Sequence, residues 1–157
     1  MAYLTYEEYV AYYPDADEAT FKRLDFEAER ILDYQTTGID NVRKLKVAFP
    51  TDADDANIVK QCIIRMVNIL QTLEELDSVA VGHAVQYGGT VNSVSSGSES
   101  ISFGSGNGTA LLEASKSPEA KAQLLKNTIK LYLSGIEDAN GVNLLYMGRY
   151  PKCIKTE

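Results

Sequence analysis

The sequence predicts a mainly α fold: a small helical bundle of about four helices, with a long Gly/Ser-rich loop or β-hairpin arm and a short C-terminal strand or arm. Three observations lead there. Apolar residues recur at spacings of three and four in four separate blocks, the period of an amphipathic helix. Each block is bounded by capping or helix-stopping residues. Between the third and fourth blocks lies Gly88 to Gly108, GGTVNSVSSGSESISFGSGNG, a 21-residue polar stretch in which thirteen residues are Gly or Ser. The 157 residues, 45% hydrophobic, suffice for one domain with its own core. That single domain, 1–157, divides into a helical body (5–80 and 117–135), a protruding arm (88–108) and a C-terminal tail (142–157).

The first helix opens on a capping box, Thr5 followed by Glu8, and places Tyr6, Tyr9, Val10 and Tyr13 on one face before Pro14 stops it. Asp15 or Asp17 caps the second, in which Phe21, Leu24, Ala28, Ile31 and Leu32 form the apolar stripe and Gly38 is the expected C-cap. Residues 39–50, with Val42, Leu45, Val47 and Phe49, read equally as an extended connection or a further short helix. The third helix starts after Pro50 with Thr51, Asp52, Asp54 and Asp55. Its stripe runs through Val59, Cys62, Ile63, Met66, Ile69, Leu70, Leu73 and Leu76, broad enough for the central, most buried helix. The fourth has Ser117 as N-cap, Pro118 at the first helical position and Glu119 in the first turn, then Leu124, Leu125, Ile129 and Tyr132 before Gly135. Asp138-Ala-Asn-Gly141 is a turn signal, and Val142 to Tyr150 is a short apolar run closed by Pro151. Such a tail is expected to add to a sheet edge, its own or a neighbour's.

Charge narrows the function classes. The net charge is −7, and from Met66 to Ser115 there is no Lys or Arg, while Glu74, Glu75, Asp77, Glu99 and Glu113 make that segment −5. Such a surface repels phosphate. The last 42 residues carry seven Lys or Arg against four acids, but Lys116, Lys121, Lys126 and Lys130 do not converge on one helix face, so a tight grip on nucleic acid is not expected. No run of about 18 apolar residues suggests a membrane span, and the acidic, tyrosine-rich N-terminus is unlike a signal peptide. Two cysteines, Cys62 and Cys153, form no zinc-type spacing and suit a reducing cytoplasm.

The expected chemistry is correspondingly bare, with no catalytic, cofactor-binding or metal residues and no cofactor. His83 is the only histidine and has no nucleophile or carboxylate near it in a triad pattern. Cys62 falls on the apolar stripe of the third helix and reads as core. Asp52, Asp54 and Asp55 lack the glycine and distal glutamate of a calcium loop and complement the helix dipole instead. The alternating Gly104, Gly106 and Gly108 come without the lysine of a phosphate loop. The five tyrosines among the first thirteen residues read as core and rim, any surplus serving as interface anchors.

Within the arm, Glu99, Ile101 and Phe103 alternate with Ser98, Ser100 and Ser102, as a half-buried strand does. Linkers seldom alternate, and loops this long tend to be functional or disordered, so the arm points to assembly. A tyrosine-rich opening helix ending at Pro14, two longer helices, a Gly/Ser segment running into SESISFG (Ser98–Gly104), a further helix and a terminal LLYMGRY (Leu144–Tyr150) together resemble the head–tail connector proteins, or neck adaptors, of long-tailed bacteriophages. The resemblance implies a structural virion protein without catalytic activity. Its copies form a homo-oligomeric ring in the phage neck that joins the capsid portal above to a tail-side neck or stopper protein below. DNA passes through the ring without specific binding. It also implies an inter-subunit arm at Val91, Val94, Glu99, Ile101 and Phe103, a portal- or neighbour-docking tail at Leu144, Leu145, Tyr146, Met147 and Tyr150, and an acidic channel lining at Glu99 and Glu113. The protein is then made in the host cytoplasm and resides in the virion, away from membranes. The alternatives are another phage morphogenesis factor, such as a tail-completion protein or assembly chaperone, and a small enzyme with a mobile lid loop.

Overall fold

The computed structural model describes residues 2–87, 94–96, 99–101 and 107–151, with side chains for 2–78, 110, 111 and 113–151. Among them are α1 (Tyr6–Val10), α2 (Glu18–Thr36), α3 (Lys44–Val47), α4 (Ala53–Tyr87), β1 (Val94–Ser96), β2 (Glu99–Ile101), α5 (Asn107–Lys116) and α6 (Pro118–Leu133). The fold is mainly helical, a small bundle. The chain forms two compact units, Met1–Val67 with Lys126–Glu157, and Asn68–Leu125.

In the first unit, local chemistry sets the helix starts. Thr5 Oγ1 accepts the Glu8 N–H at 3.3 Å while Glu8 Oε2 accepts the Thr5 N–H at 3.0 Å, so two donors at the start of α1 are satisfied reciprocally. Asp17 Oδ2 accepts the Thr20 N–H at 2.8 Å and caps α2. Asp52 Oδ1 takes the N–H groups of Asp54 and Asp55 at 3.0 and 3.1 Å, which assigns this aspartate cluster to the start of α4. The core then assembles from Leu4, Tyr9, Phe21, Leu24, Ala28, Leu32, Val59, Cys62, Ile63 and Met66, all buried. Tyr9 stacks on Phe21 with ring centroids 4.8 Å apart, and Tyr3 stacks on Phe49 at 5.5 Å. Of the N-terminal tyrosines, Tyr3 and Tyr9 are core, whereas Tyr12 is exposed.

The open stretch 39–50 contains the single turn α3. It is preceded by a bridge between Thr37 and Arg43 that folds the chain back on itself, with Asn41 in the left-handed region at φ 59°. Gly38 is not the C-cap of α2. The helix ends at Thr36, Thr37 is its cap, and Gly38 is buried where a Cβ would strike the Gly148 carbonyl. Its missing side chain makes room for the C-terminal segment.

In the second unit, Ile69, Leu70 and Leu73 of α4 are buried, as are Ala114 of α5 and Leu125 of α6. Two elements differ from expectation. α4 continues to Tyr87 rather than stopping near residue 80, and α5 occupies a stretch, from Asn107, where no helix is expected. The Asn-Gly-Thr opening of α5 has poor helix propensity, which hides its start. α6 begins as predicted, with Ser117 Oγ accepting the Ala120 N–H at 3.3 Å. In the first unit it ends before Gly135, at φ 86°.

Candidate functional site: a basic, aromatic groove on the second helix

α2 has two faces. Phe21, Leu24, Ala28 and Leu32 turn into the core, whereas Phe26, Arg30 and Tyr34, spaced by four, form a second stripe on the outside. Phe26 is 64% exposed and Tyr34 76% exposed, large apolar surfaces that the unit's own core does not use. The fold-back of the chain at Thr37 and Arg43 brings Asn41, Arg43 and Lys46 to the same stripe. Together they line an open hollow of about 510 Å³.

Three cations therefore face this groove against one carboxylate, Asp33. The Arg30 guanidinium lies 5.9 Å from the Phe26 ring centre, a cation–π arrangement that holds its charge at the rim. Asp33 is nearly buried, and both of its oxygens are engaged: Oδ1 accepts the Tyr3 hydroxyl at 2.7 Å and Oδ2 pairs with Lys46 at 3.2 Å. Burial, followed by the Asp33 hydrogen bond, drives the Tyr3 hydroxyl far above its ordinary pKa, so it remains a donor. Arg30 and Arg43 form no ion pair among the described residues. Chemically the groove suits an anionic partner that also presents flat or apolar surface. It holds no activated nucleophile.

The predicted docking tail is organised differently from expectation. Residues 136–150 fold back on their own unit instead of projecting as a strand. Asp138 accepts the Asn140 and Val142 N–H groups at 2.8 and 3.0 Å, Gly141 adopts φ 72°, and Glu137 bridges Asn143. Lys44, fully buried, donates its ammonium to the carbonyls of Asn143 and Leu144 at 3.3 and 2.9 Å, and to that of Tyr146. Burial pushes the Lys44 pKa down, and Asp138 and Asp40 oppose that shift. Ile39 N–H donates to Met147 O at 3.1 Å, Tyr150 N–H to Asp40 at 2.7 Å, and Ala139 N–H to Ala48 O at 3.3 Å. The tail buries itself because a lysine ammonium, not a neighbouring strand, satisfies its carbonyls. Leu144 is thus a core residue and Leu145 is half-buried, whereas Tyr146 and Met147 face outward at 50% and 57% exposure. Tyr150 OH donates to Asp138 Oδ2 at 2.5 Å.

In the arm, β1 and β2 pair antiparallel with Val94 opposite Ile101, Ser95 opposite Ser100 and Ser96 opposite Glu99. Val91 and Phe103 lie outside the described residues. Of the two acidic residues expected along a channel, Glu113 is exposed on α5 and Glu99 lies on β2. His83 lies on α4, with its side chain among those not described. Cys62 is buried, and that burial pushes its thiol up to about 12, far from thiolate chemistry. Among the described residues no three His, Cys, Asp or Glu side chains gather to hold a metal, and no helix is long and apolar enough to cross a membrane.

Sequence reasoning missed the groove. Its cations are spread over residues 30–46 and meet only through the fold-back, although the Phe26, Arg30, Tyr34 stripe is visible as an i, i+4, i+8 pattern. No protein-family model, curated protein or solved structure matches this chain.

Proposed function

We propose that this chain is a structural protein of the neck of a long-tailed phage. Its copies form a ring that joins the portal to the tail-side neck or stopper protein and lets DNA pass without specific binding. The observation that carries this reading is the antiparallel pairing of Val94–Ser96 with Glu99–Ile101 inside the Gly/Ser-rich connection between α4 and α5. An isolated two-stranded hairpin is marginal in water, and its edges offer unpaired backbone donors and acceptors. No third described strand joins it. A chain that builds a hairpin there has a use for contact with a neighbour, which a ring of head-to-tail copies supplies.

Two further features support the reading. The segment Met66 to Ser115 lacks any basic residue and carries −5, suited to a lumen through which phosphates slide. Tyr146 and Met147 present apolar surface on a firmly held loop, available for docking on a portal or neighbour. Electron microscopy of particles containing the protein tests the proposal. A ring at the junction of capsid and tail is expected, together with filled but tailless heads when the protein is missing. Infectious particles assembled without it would overturn the assignment.

A further inference from the structure

We propose that the α2 groove receives a short extended segment of another protein, one that carries carboxylates between two apolar or aromatic residues. The inference goes beyond the neck reading and stands without it. Every residue of the groove belongs to the first unit, so the site is complete within one compact body. Phe26 and Tyr34 turn most of their rings outward, and Arg30, itself exposed, lies between them on the same stripe. Arg30 and Arg43 pair with no carboxylate among the described residues, while Lys46 and Asp33 offset each other at 3.2 Å. Two positive charges are thus left for a partner. Rings and guanidiniums around a hollow are the composition of an interface centre, and a guanidinium takes a carboxylate through two parallel hydrogen bonds.

Spacing sets the length of the occupant. Phe26 and Tyr34 are two four-residue steps apart on α2, about 12 Å along its axis. Five residues of extended chain cover about 13 Å and turn their first, third and fifth side chains to one face. Apolar side chains at the two ends then meet the two rings, and a central carboxylate meets Arg30. Arg43, which the fold-back brings to the same hollow, supplies the second cation. A polynucleotide is the poorer occupant. Glu27 stands beside Phe26, Glu29 beside Arg30 and Asp40 beside Asn41, so the basic surface is short and a phosphate backbone running past it meets acids. A second copy is poorer too. The stretches of this chain nearest the pattern, Tyr6–Val10 and Leu73–Asp77, are wound into helices, with Glu8 held by Lys60 and Glu75 taking the Gln71 amide at 3.0 Å.

Fluorescence anisotropy with the full chain tests the assignment. The probe is a fluorescein-labelled nine-residue peptide in which three glutamates stand between two phenylalanines, with Gly-Ser at each end. Too short to form a stable helix in water, it presents the pattern as extended chain. Wild type is expected to bind it saturably, and more weakly as salt rises. Replacing the glutamates by serine, or the phenylalanines by serine, should weaken binding at least about tenfold in each case. In the protein, Arg30→Glu with Arg43→Glu and, separately, Phe26→Ser with Tyr34→Ser should do the same. All four side chains are exposed, and thermal melting checks that each variant folds. The charge-reversed variant should instead take a peptide with lysines in place of the glutamates, which wild type refuses. No saturable binding by wild type, equal affinity for the serine-substituted peptides, or undiminished binding by either folded variant would each overturn the proposal. The peptide comparisons leave the protein untouched, so they decide the matter even if a variant melts early. A ten-nucleotide oligothymidylate that binds more tightly than the acidic peptide, and that the charge-reversed variant loses, would reassign the groove to single-stranded nucleic acid. The neck assignment is judged separately, by the location of the protein in particles.

Discussion

Asp25 lies within α2, nearly buried, and its Oδ1 atom has no hydrogen-bond partner. Burial first, and the nearby Glu29 charge second, raise its pKa from 3.8 to about 7. A carboxyl with a raised folded-state pKa contributes its full stability below the unfolded value and loses it as pH rises through the folded one, here between about pH 4 and pH 7. Above about pH 7 the protein thus carries a poorly solvated charge whose Oδ1 atom has no hydrogen-bond partner. Asp25→Ala is expected to stabilise the fold by about 1 kcal/mol or more at about pH 8, where the orphaned carboxylate is removed. Most of that gain should vanish at about pH 5, where the wild-type group is already neutral. Urea denaturation at the two pH values measures the difference, and an equal gain at both would show that burial of the charge is not the cause.

The elements of the first unit interlock through their connections. Gly38 follows α2 and lies against Gly148, Ile39 N–H holds Met147 O, and Ala139 N–H holds Ala48 O just after α3. A methyl group at position 38 meets a backbone carbonyl, which cannot swing aside as a side-chain end can, so Gly38→Ala should destabilise by about 1–3 kcal/mol. Faster hydrogen exchange at the Ile39 amide, which donates to Met147, would accompany it; a neutral effect on stability would mean that the tail is not seated there. This interlock marks the limit of what the sequence discloses. The starts of α1, α2 and α6 are legible because capping is local: Thr5 with Glu8, Asp17 with Thr20, and Ser117 before Pro118 act within a turn. The stripe of α4 is legible from Val59 to Leu73 because period alone defines it. The seat of the tail is not legible, since Lys44 finds its acceptors about a hundred residues away and Gly38 imitates a helix cap. The groove is half legible. Its stripe on α2 repeats by four, but Arg43 and Lys46 join it only after the chain turns at Asn41.

At the scale of the whole molecule, the C-terminal segment belongs to the fold before it belongs to any partner, and this changes how docking must be tested. Removing Val142 to Glu157 takes away two buried apolar side chains, Val142 and Leu144, each contributing about 1.5–3 kcal/mol when fully buried. It also strips the buried Lys44 ammonium of its three carbonyl acceptors, and an unpaired buried cation costs more than either side chain. Against a typical domain stability of about 5–15 kcal/mol, the truncated chain should lose its cooperative thermal transition instead of persisting as a folded body that merely fails to attach. A truncation that blocks particle assembly would then report on folding alone. The informative change is Tyr146→Ser with Met147→Ser, which alters exposed side chains while leaving the carbonyls that Lys44 and Ile39 engage. Its melting temperature should fall by a few degrees at most, because what is lost is exposed surface and the cation–π contact of the Tyr146 ring with Lys44, whose ammonium lies 5.8 Å from the ring centre, an interaction worth about 0.5–1 kcal/mol at exposed sites. If the tail loop docks on a portal or a neighbour, this folded variant should be absent from purified heads. Normal incorporation of the double variant would show that the loop serves only its own unit.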